Sequence, residues 1–200
     1  MKIGILAYQG GVFEHRYMVE RACEELGYDC DIVLVTKVHH LKDVDAIILP
    51  GGESTTISKL AKRFGVLDEL RKLAMNGIPT FGTCAGAILL AKHVIDRVTG
   101  KVLRNPVGIM DMDIVRNYYG RQRESFEVDL AIPILGNKPF RGVFIRAPAI
   151  TRIGPHVTSL AMLNDVHVAV QQGPHLATTF HPELTNDTRF HKYFLKIVKH

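Results

Sequence analysis

The sequence predicts an α/β fold: one domain over residues 1–200, with a central mixed, largely parallel sheet flanked by helices in three layers. Three observations carry this. Short runs of apolar, mostly branched residues alternate with helix-spaced segments through the first half, the pattern of parallel strands covered on both faces. The second half changes to closely spaced short strands with turns and little helix between them. Hydrophobic residues make up 46% of the 200 and charged residues 22%, which fills a core and excludes a disordered chain.

Ile3–Tyr8 is an apolar, branched run and reads as a buried strand. Gly10-Gly11 breaks it, and Val12–Leu26 follows with helical spacing. Val12, Val19, Ala22, Cys23 and Leu26 share one face, while Glu20, Arg21, Glu24 and Glu25 lie elsewhere. Gly27 stops that helix. Cys30–Val35 is the next strand, and Val44–Leu49 another, ended by Pro50-Gly51-Gly52. Ser54-Thr55-Thr56 caps a helix through Arg63, and Val66–Asn76 gives a further helix stopped by Gly77. The strand Ile78–Gly82 leads straight into Ala85–Ala91, apolar on every side and therefore a helix buried in the middle of the molecule. Ser125–Leu130, Gly142–Arg146, Thr158–Leu163, His167–Gln172 and Leu176–Phe180 then read as strands that extend or flank the sheet in antiparallel fashion. The closing helix, capped by Thr185 or Asp187, gathers Phe190, Tyr193, Phe194, Ile197 and Val198, and turns Lys192, Lys196 and Lys199 outward.

Several function classes drop out on composition. No run of about 18 apolar residues exists, so no membrane-spanning helix is expected. The N-terminus carries no secretory pattern, which points to a soluble, cytoplasmic protein. The net charge of +5 is mild. With no Lys/Arg block and no aromatic-rich basic stripe, nucleic acid is not an expected partner. Arg97, Lys101, Arg104, Arg116, Arg121 and Arg123 fall along one stretch and read as a mostly solvated face. The three cysteines are Cys23, Cys30 and Cys84. An odd count without C-x-x-C in an intracellular setting argues against disulfides and zinc, so Cys23 and Cys30 are expected as small core hydrophobes. Ten histidines include no H-E-x-x-H or comparable helical pair, and no metal is expected.

The sharpest local feature is Gly82-Thr83-Cys84-Ala85-Gly86, a G-x-C-x-G between a buried strand and a buried helix. This is the nucleophile-elbow pattern, in which a strained turn thrusts the side chain above the sheet edge. The helix that follows aims its free N–H groups at the sulfur, favouring a thiolate and an oxyanion. His181-Pro182-Glu183 supplies a base and its orienting acid. Pro182 keeps His181 extended, and residues i and i+2 of an extended segment share a side. Pro50-Gly51-Gly52-Glu53-Ser54 is a third loop at a strand end, suited to backbone donors and lacking the G-K-[ST] ending of a phosphate loop. Taken singly, each has a plain structural alternative: a core cysteine, a loop histidine beside a capping acid, a Gly-Gly turn.

Together these segments resemble the class I (Cys-His-Glu) glutamine amidotransferases, whose fold is flavodoxin-like. Within them the chain is similar to the glutaminase subunits of pyridoxal 5′-phosphate synthase. The likeness rests on Tyr8-Gln9-Gly10 with Glu14-His15, Pro50 through Thr56, Arg116-Asn117 with Gly120-Arg121-Gln122, Ser125-Phe126-Glu127, Phe144 through Pro148, and Phe180 through Thr185. The resemblance implies hydrolysis of L-glutamine with Cys84 as nucleophile, His181 as general acid/base and Glu183 as its orienting carboxylate. It implies an oxyanion hole from the Gly52 and Ala85 N–H groups. Glutamine would be held by Gly52, Glu53, Ser54, Arg116, Ile145 and Arg146. Charge-assisted contacts agree in part: Arg116 or Arg146 suits an α-carboxylate, and Glu53 an ammonium. No cofactor is implied. The implied partner is the synthase subunit, a (β/α)₈ barrel that receives the ammonia, with Gln9 a candidate contact.

Three departures from the family pattern stand out. Tyr8 replaces an aliphatic residue, Asn117-Tyr118-Tyr119 is bulkier than in some relatives, and Gln171-Gln172-Gly173 replaces Arg-Gln-Gly, removing a charge placed near the active-site end of the sheet. Rival readings are a γ-glutamyl or peptide hydrolase with no ammonia-accepting partner, and a binding module whose triad is a relic. A nucleotide-binding reading fails because Gly10-Gly11 lacks the G-x-G-x-x-G spacing.

Overall fold

Five parallel strands make the first half of the sheet in this computed structural model, which describes residues 1–97, 99–104, 107–120 and 125–200. β1 (Lys2–Leu6) lies between β2 (Asp31–Val35) and β3 (Ala46–Leu49). β4 (Thr80–Thr83) pairs with β3, and β13 (His175–Thr178) pairs with β4. Every residue of β3, β4 and β13 is buried, and β3, Ala-Ile-Ile-Leu, is the unbroken apolar run among them. Alternate residues feed opposite faces: Ile47 and Leu49 enter one core, Ala46 and Ile48 the other.

Beyond β13 the direction reverses. β12 (Val166–Gln172), β10 (Ala149–Ile153) and β7 (Met110–Arg116) continue the sheet antiparallel, and β11 (Thr158–Leu163) pairs with β12 beside them. β5 (Ala91–Asp96) lies parallel to β7, and β6 (Val102–Arg104) ends the order. β8 (Ser125–Leu130) and β9 (Phe140–Ile145) form a separate antiparallel pair. The expected extension and flanking by antiparallel strands is therefore present. β5, β6, β7 and β10 had no counterpart in the sequence reading.

Helices cover both faces. α1 (Val12–Leu26) and α5 (Arg189–Lys199) pack with Ile3, Ile5 and Phe81 on one side. α2 (Ser54–Arg63), α3 (Val66–Met75) and α4 (Ala85–Leu90) fill the other. α1 matches the expected span, with Gly27 at φ 66° as its stop. Its buried face also takes in His15 and Met18, and α5 buries His191 and Leu195 beside Phe190 and Phe194. The buried helix after the elbow ends at Leu90, and Ala91 already begins β5. Among the described residues, no helix is long and apolar enough to cross a membrane.

Three sequence readings are corrected. Cys23 and Cys30 are joined in a disulfide. Gly27 turns the chain back at the end of α1, bringing the two Cα atoms to 6.4 Å, inside the bridging range. Their spacing alone does not reveal this, because the left-handed turn between them sets the distance. The cap of α2 is Glu53, whose carboxylate accepts from Thr55 N at 3.0 Å and Thr56 N at 2.6 Å. Finally, Gln171 pairs with Leu176 near the start of β13, so it lies at the end of the sheet opposite His181. There Tyr193 Oη donates to Gln171 Oε1, and Gln171 Nε2 donates to Gly173 O at 2.9 Å.

Candidate active site

The carboxyl ends of β1, β3, β4 and β13 open onto one crevice, the usual place for ligands of an open α/β sheet. Cys84 follows β4 directly, at φ 48° and ψ −102°, a positive-φ backbone outside the αL region and strained for a residue with a Cβ. Its N–H donates to Thr178 O of β13 at 2.8 Å, which fixes the elbow to the neighbouring strand. The flanking glycines are needed for space. A Cβ on Gly82 would lie 2.6 Å from Gly86 C, and one on Gly86 would lie 1.9 Å from Leu49 O. The helix start can thus press against β3 only through glycine.

His181 follows β13, and its N–H donates to Val143 O of β9 at 2.8 Å. Its Nδ1 lies 2.8 Å from Glu183 Oε1, the side-by-side placement expected from His-Pro-Glu. Glu183 is buried, and burial pushes its carboxyl up, yet His15 and His181 pull it below its ordinary value. For His181 burial works against the charge, but Cys84 and Glu183 outweigh it and push the imidazole up to about 10. The imidazole of His181 is therefore favoured in its protonated form, held against the Glu183 carboxylate.

The glycine loop closes the third side. A Cβ on Gly51 would fall 2.3 Å from His181 Cε1 and 3.3 Å from Cys84 Cβ, so the loop touches both residues. Gly51 N donates to Thr83 Oγ1 at 3.0 Å. Gly52 stands at φ 156°. Glu53 N donates to Gln9 Oε1 at 2.8 Å, so Gln9, read as a partner contact, has an internal role in holding this loop.

A cavity of about 270 Å³ lies between these segments, near the lower end of small-molecule sites. Gly52, Glu53, Ser54, Cys84, Arg116, Ile145, Arg146 and His181 all line it. Of the remaining expected residues, Glu183 sits behind His181, and Ala85 is the buried first residue of α4, where N–H groups have no partner within the helix. Arg116 Nη2 stands 3.6 Å from Glu53 Oε1 and donates to Thr55 Oγ1 at 3.4 Å, so the two charges expected from the sequence to meet a zwitterion face each other. Cys84 Sγ points to Ile145 O at 4.0 Å. Burial, counteracted by the Thr55 and Thr56 donors, leaves the Glu53 carboxyl lowered to about 2.

Sequence reasoning missed Ile88, Asn117 and Pro148 as lining residues, along with Thr83 and His15 beneath the loop. Helical spacing holds the signal for His15, three residues after Val12 and four before Val19. Of the departures, Tyr8 donates from Oη to Thr36 O at 2.9 Å and stacks on Phe64, a packing role. Arg97 donates to Tyr118 O; Arg121, Arg123 and the side chain of Arg104 lie outside the described residues.

A family model described as the SNO glutamine amidotransferase family matches residues 5–200. Relatives named pyridoxal 5′-phosphate synthase subunit PdxT, from Aeropyrum pernix and Staphylothermus marinus, are 53% and 50% identical, each over all of both chains. A solved structure titled as a glutamine amidotransferase is 46% identical, with a TM-score of 0.85 over 99% of each chain. The PurLQS structure from Thermotoga maritima, at 18% identity and a TM-score of 0.64 over 99% of this chain and 97% of that one, shares the fold.

Proposed function

The chain belongs to the SNO glutamine amidotransferase family, and from that membership we propose how its residues divide the work. The reaction is hydrolysis of L-glutamine to L-glutamate and ammonia, with the ammonia supplied to pyridoxal 5′-phosphate (vitamin B6) synthesis. Cys84 Sγ attacks the side-chain carboxamide carbon, and the tetrahedral oxyanion is held by the N–H groups of Gly52 and Ala85. His181 gives its proton to the departing ammonia, leaving a γ-glutamyl thioester on Cys84. His181 then takes a proton from water as the water attacks the thioester, releasing glutamate and restoring the thiolate–imidazolium pair. Glu183 keeps the ring in register and stabilises its charge. Arg116 and Arg146 meet the substrate α-carboxylate, Glu53 its ammonium, and Ser54 and Ile145 complete the pocket.

The observation that carries this reading is a strained Cys84 in a cavity with a His181–Glu183 pair whose nitrogen and oxygen lie 2.8 Å apart. The whole of residues 1–200 serves as one glutaminase domain. Its partner is a synthase subunit with a (β/α)₈ barrel that consumes the ammonia without releasing it. The reaction belongs in the cytoplasm, which keeps a nucleophilic thiol reduced. The Cys23–Cys30 bond runs against that compartment's chemistry; Cys23 is buried and Cys30 half-buried.

Glutamate release from L-glutamine, with and without the synthase subunit, tests the proposal on wild type and Cys84→Ala. Release that needs Cys84 and rises with the partner is the expected result. Equal release with and without the partner would favour a stand-alone hydrolase, and no release in any mixture would refute the enzyme.

A further inference from the structure

Behind Glu183 lies a pair of imidazoles that the hydrolysis steps do not use. His15 on α1 and His191 on α5 are both 0% exposed. His15 Nδ1 is 3.1 Å from His191 Nε2. The other His15 nitrogen, Nε2, lies 3.0 Å from Thr83 Oγ1 and 3.4 Å from Glu183 Oε2. Thr83 Oγ1 is the atom that accepts from Gly51 N at 3.0 Å. A single ring nitrogen therefore stands between the carboxylate of the triad and the hydroxyl that anchors the glycine loop. Phe81 meets both rings edge to face, at 6.0 Å and 5.9 Å between centroids, and fixes their tilt.

The tautomers follow from the partners. Burial lowers both imidazoles, His191 to about 3, which favours the neutral form of each ring. One of the two nitrogens at the 3.1 Å contact must carry the proton. If His15 Nδ1 donates, His15 Nε2 presents a lone pair to the Glu183 carboxylate, and His191 Nδ1 carries an N–H that has no partner among the described residues. If His191 Nε2 donates, His15 Nε2 carries an N–H aimed at Thr83 Oγ1 and Glu183 Oε2. Among the described residues that carboxylate oxygen has no other hydrogen-bond donor, and the nitrogen left over on His191 is only an acceptor. Buried N–H groups without partners are the rarer defect, so the second arrangement is favoured at both ends.

We propose that His15 is a positioning residue for the hydrolysis: its Nε2–H, set by His191, holds the Glu183 carboxylate against His181 and, through Thr83, holds the Gly51-Gly52 loop over Cys84. The inference rests on the triad reading and extends it two residues inward. Orientation of the base and orientation of the oxyanion loop then share one hydrogen-bonded support. Among the described residues, no group of three or more His, Cys, Asp or Glu side chains is arranged to hold a metal ion, and the pair needs none to be explained.

The test uses the full chain with its synthase subunit. In His15→Leu, kcat for glutamine hydrolysis is expected to fall about 10–100-fold, the cost of misplaced reacting groups. KM should stay within about threefold, because no substrate contact is lost. His15→Gln can set an amide N–H where ring Nε2 stood and is expected to recover to within about threefold of wild-type kcat. A His15→Leu enzyme at wild-type kcat would overturn the proposal, and so would a His15→Gln enzyme as impaired as His15→Leu, since that pattern means core filling. Should His15→Leu fail to fold, ¹⁵N NMR of histidine-labelled wild type decides: Nε2–H in both rings is expected, and Nδ1–H in His15 refutes the arrangement. Failure of the triad reading shows separately, as wild type without hydrolysis, and the tautomer measurement still judges the inference on its own.

Discussion

One methyl group at Gly51 is expected to remove most of the activity while the fold survives. A Cβ there would sit 2.3 Å from His181 Cε1 and 2.9 Å from its Nδ1. Carbon atoms rest about 3.5–4.0 Å apart, so with 2.3 Å available the ring or the loop must give way by roughly 1.2 Å or more. His181 has little freedom to retreat. Glu183 holds its Nδ1 at 2.8 Å, and Val143 O holds its backbone N–H at 2.8 Å. The loop is equally tied, by Gly51 N to Thr83 Oγ1. A misplacement of about 1 Å between reacting groups costs about 100-fold in rate, and overpacking costs about 1–3 kcal/mol of stability. Gly51 is not at positive φ, so backbone strain contributes nothing. Gly27→Ala is the matched opposite: φ is 66° and, among the described residues, nothing lies within 4 Å of the added methyl. It should cost about 1–2 kcal/mol through strain with kcat unchanged. Glutamate release and thermal melting on both variants check the pair. A Gly51→Ala enzyme with wild-type kcat would refute the idea that contact with this loop sets the position of His181.

Three further outcomes follow from the same geometry. Reduction of Cys23–Cys30, which closes a loop seven residues apart, should lower the unfolding free energy by about 2–3 kcal/mol without changing kcat; identical denaturation midpoints with and without reductant would contradict this. His181 is raised in the folded state from 6.5 to about 10, so its stabilising contribution is complete below about pH 6.5 and disappears as pH rises through about 10. The difference in unfolding free energy between wild type and His181→Gln should narrow across that window, and a constant difference would count against the buried imidazolium. Glu53→Ala should cost about 1 kcal/mol for the lost α2 cap and raise KM for glutamine, with an unchanged KM ruling out the substrate contact. Because the Glu53 carboxyl is lowered from 4.5 to about 2, its contribution is present above about pH 4.5 and is lost as pH falls toward about 2.

How far the sequence reveals the fold depends on whether an element carries its own boundary. α1 has Gly11 before it and Gly27 after it, with apolar spacing between, and its span is Val12–Leu26 as expected. α4 and β5 have no such mark. The chain passes from Leu90 to Ala91 without a glycine or proline, and an apolar run alone cannot separate a buried helix from a strand. β7 does carry a signal, with Met110, Met112 and Ile114 buried and Asp111 and Asp113 between them, but aspartates weigh against a strand on propensity. Here Arg152 accounts for them, donating to Asp113 Oδ2 at 2.9 Å and Asp111 Oδ1 at 3.0 Å from the neighbouring strand. The Cys-His-Glu set is legible because each member sits within a short motif at a strand end. His15 and Thr83 acquire their place only when α1, β4 and the His-Pro-Glu turn meet.

The glycines around the cleft make its loops one mechanical unit. A Cβ on Gly10 would lie 1.7 Å from Gly51 O, and Gly11 N donates to that same oxygen at 3.3 Å. The loop after β1 therefore rests on the loop after β3 with no side chain between them. Gly86 rests on Leu49 O in the same manner, joining the elbow after β4 to the end of β3. Side-chain contacts can relax by changing rotamer, but backbone pressed on backbone has no such freedom. A displacement at Gln9 or Gly10 must then be taken up at Gly51 and Gly52, beside His181 and Cys84. Hydrolysis needs the donors of the oxyanion hole, the sulfur and the imidazole in register at the same moment. The close backbone contacts make that register a property of three strand ends together, and Glu183, Thr83 and His15 supply the hydrogen bonds that hold it from below.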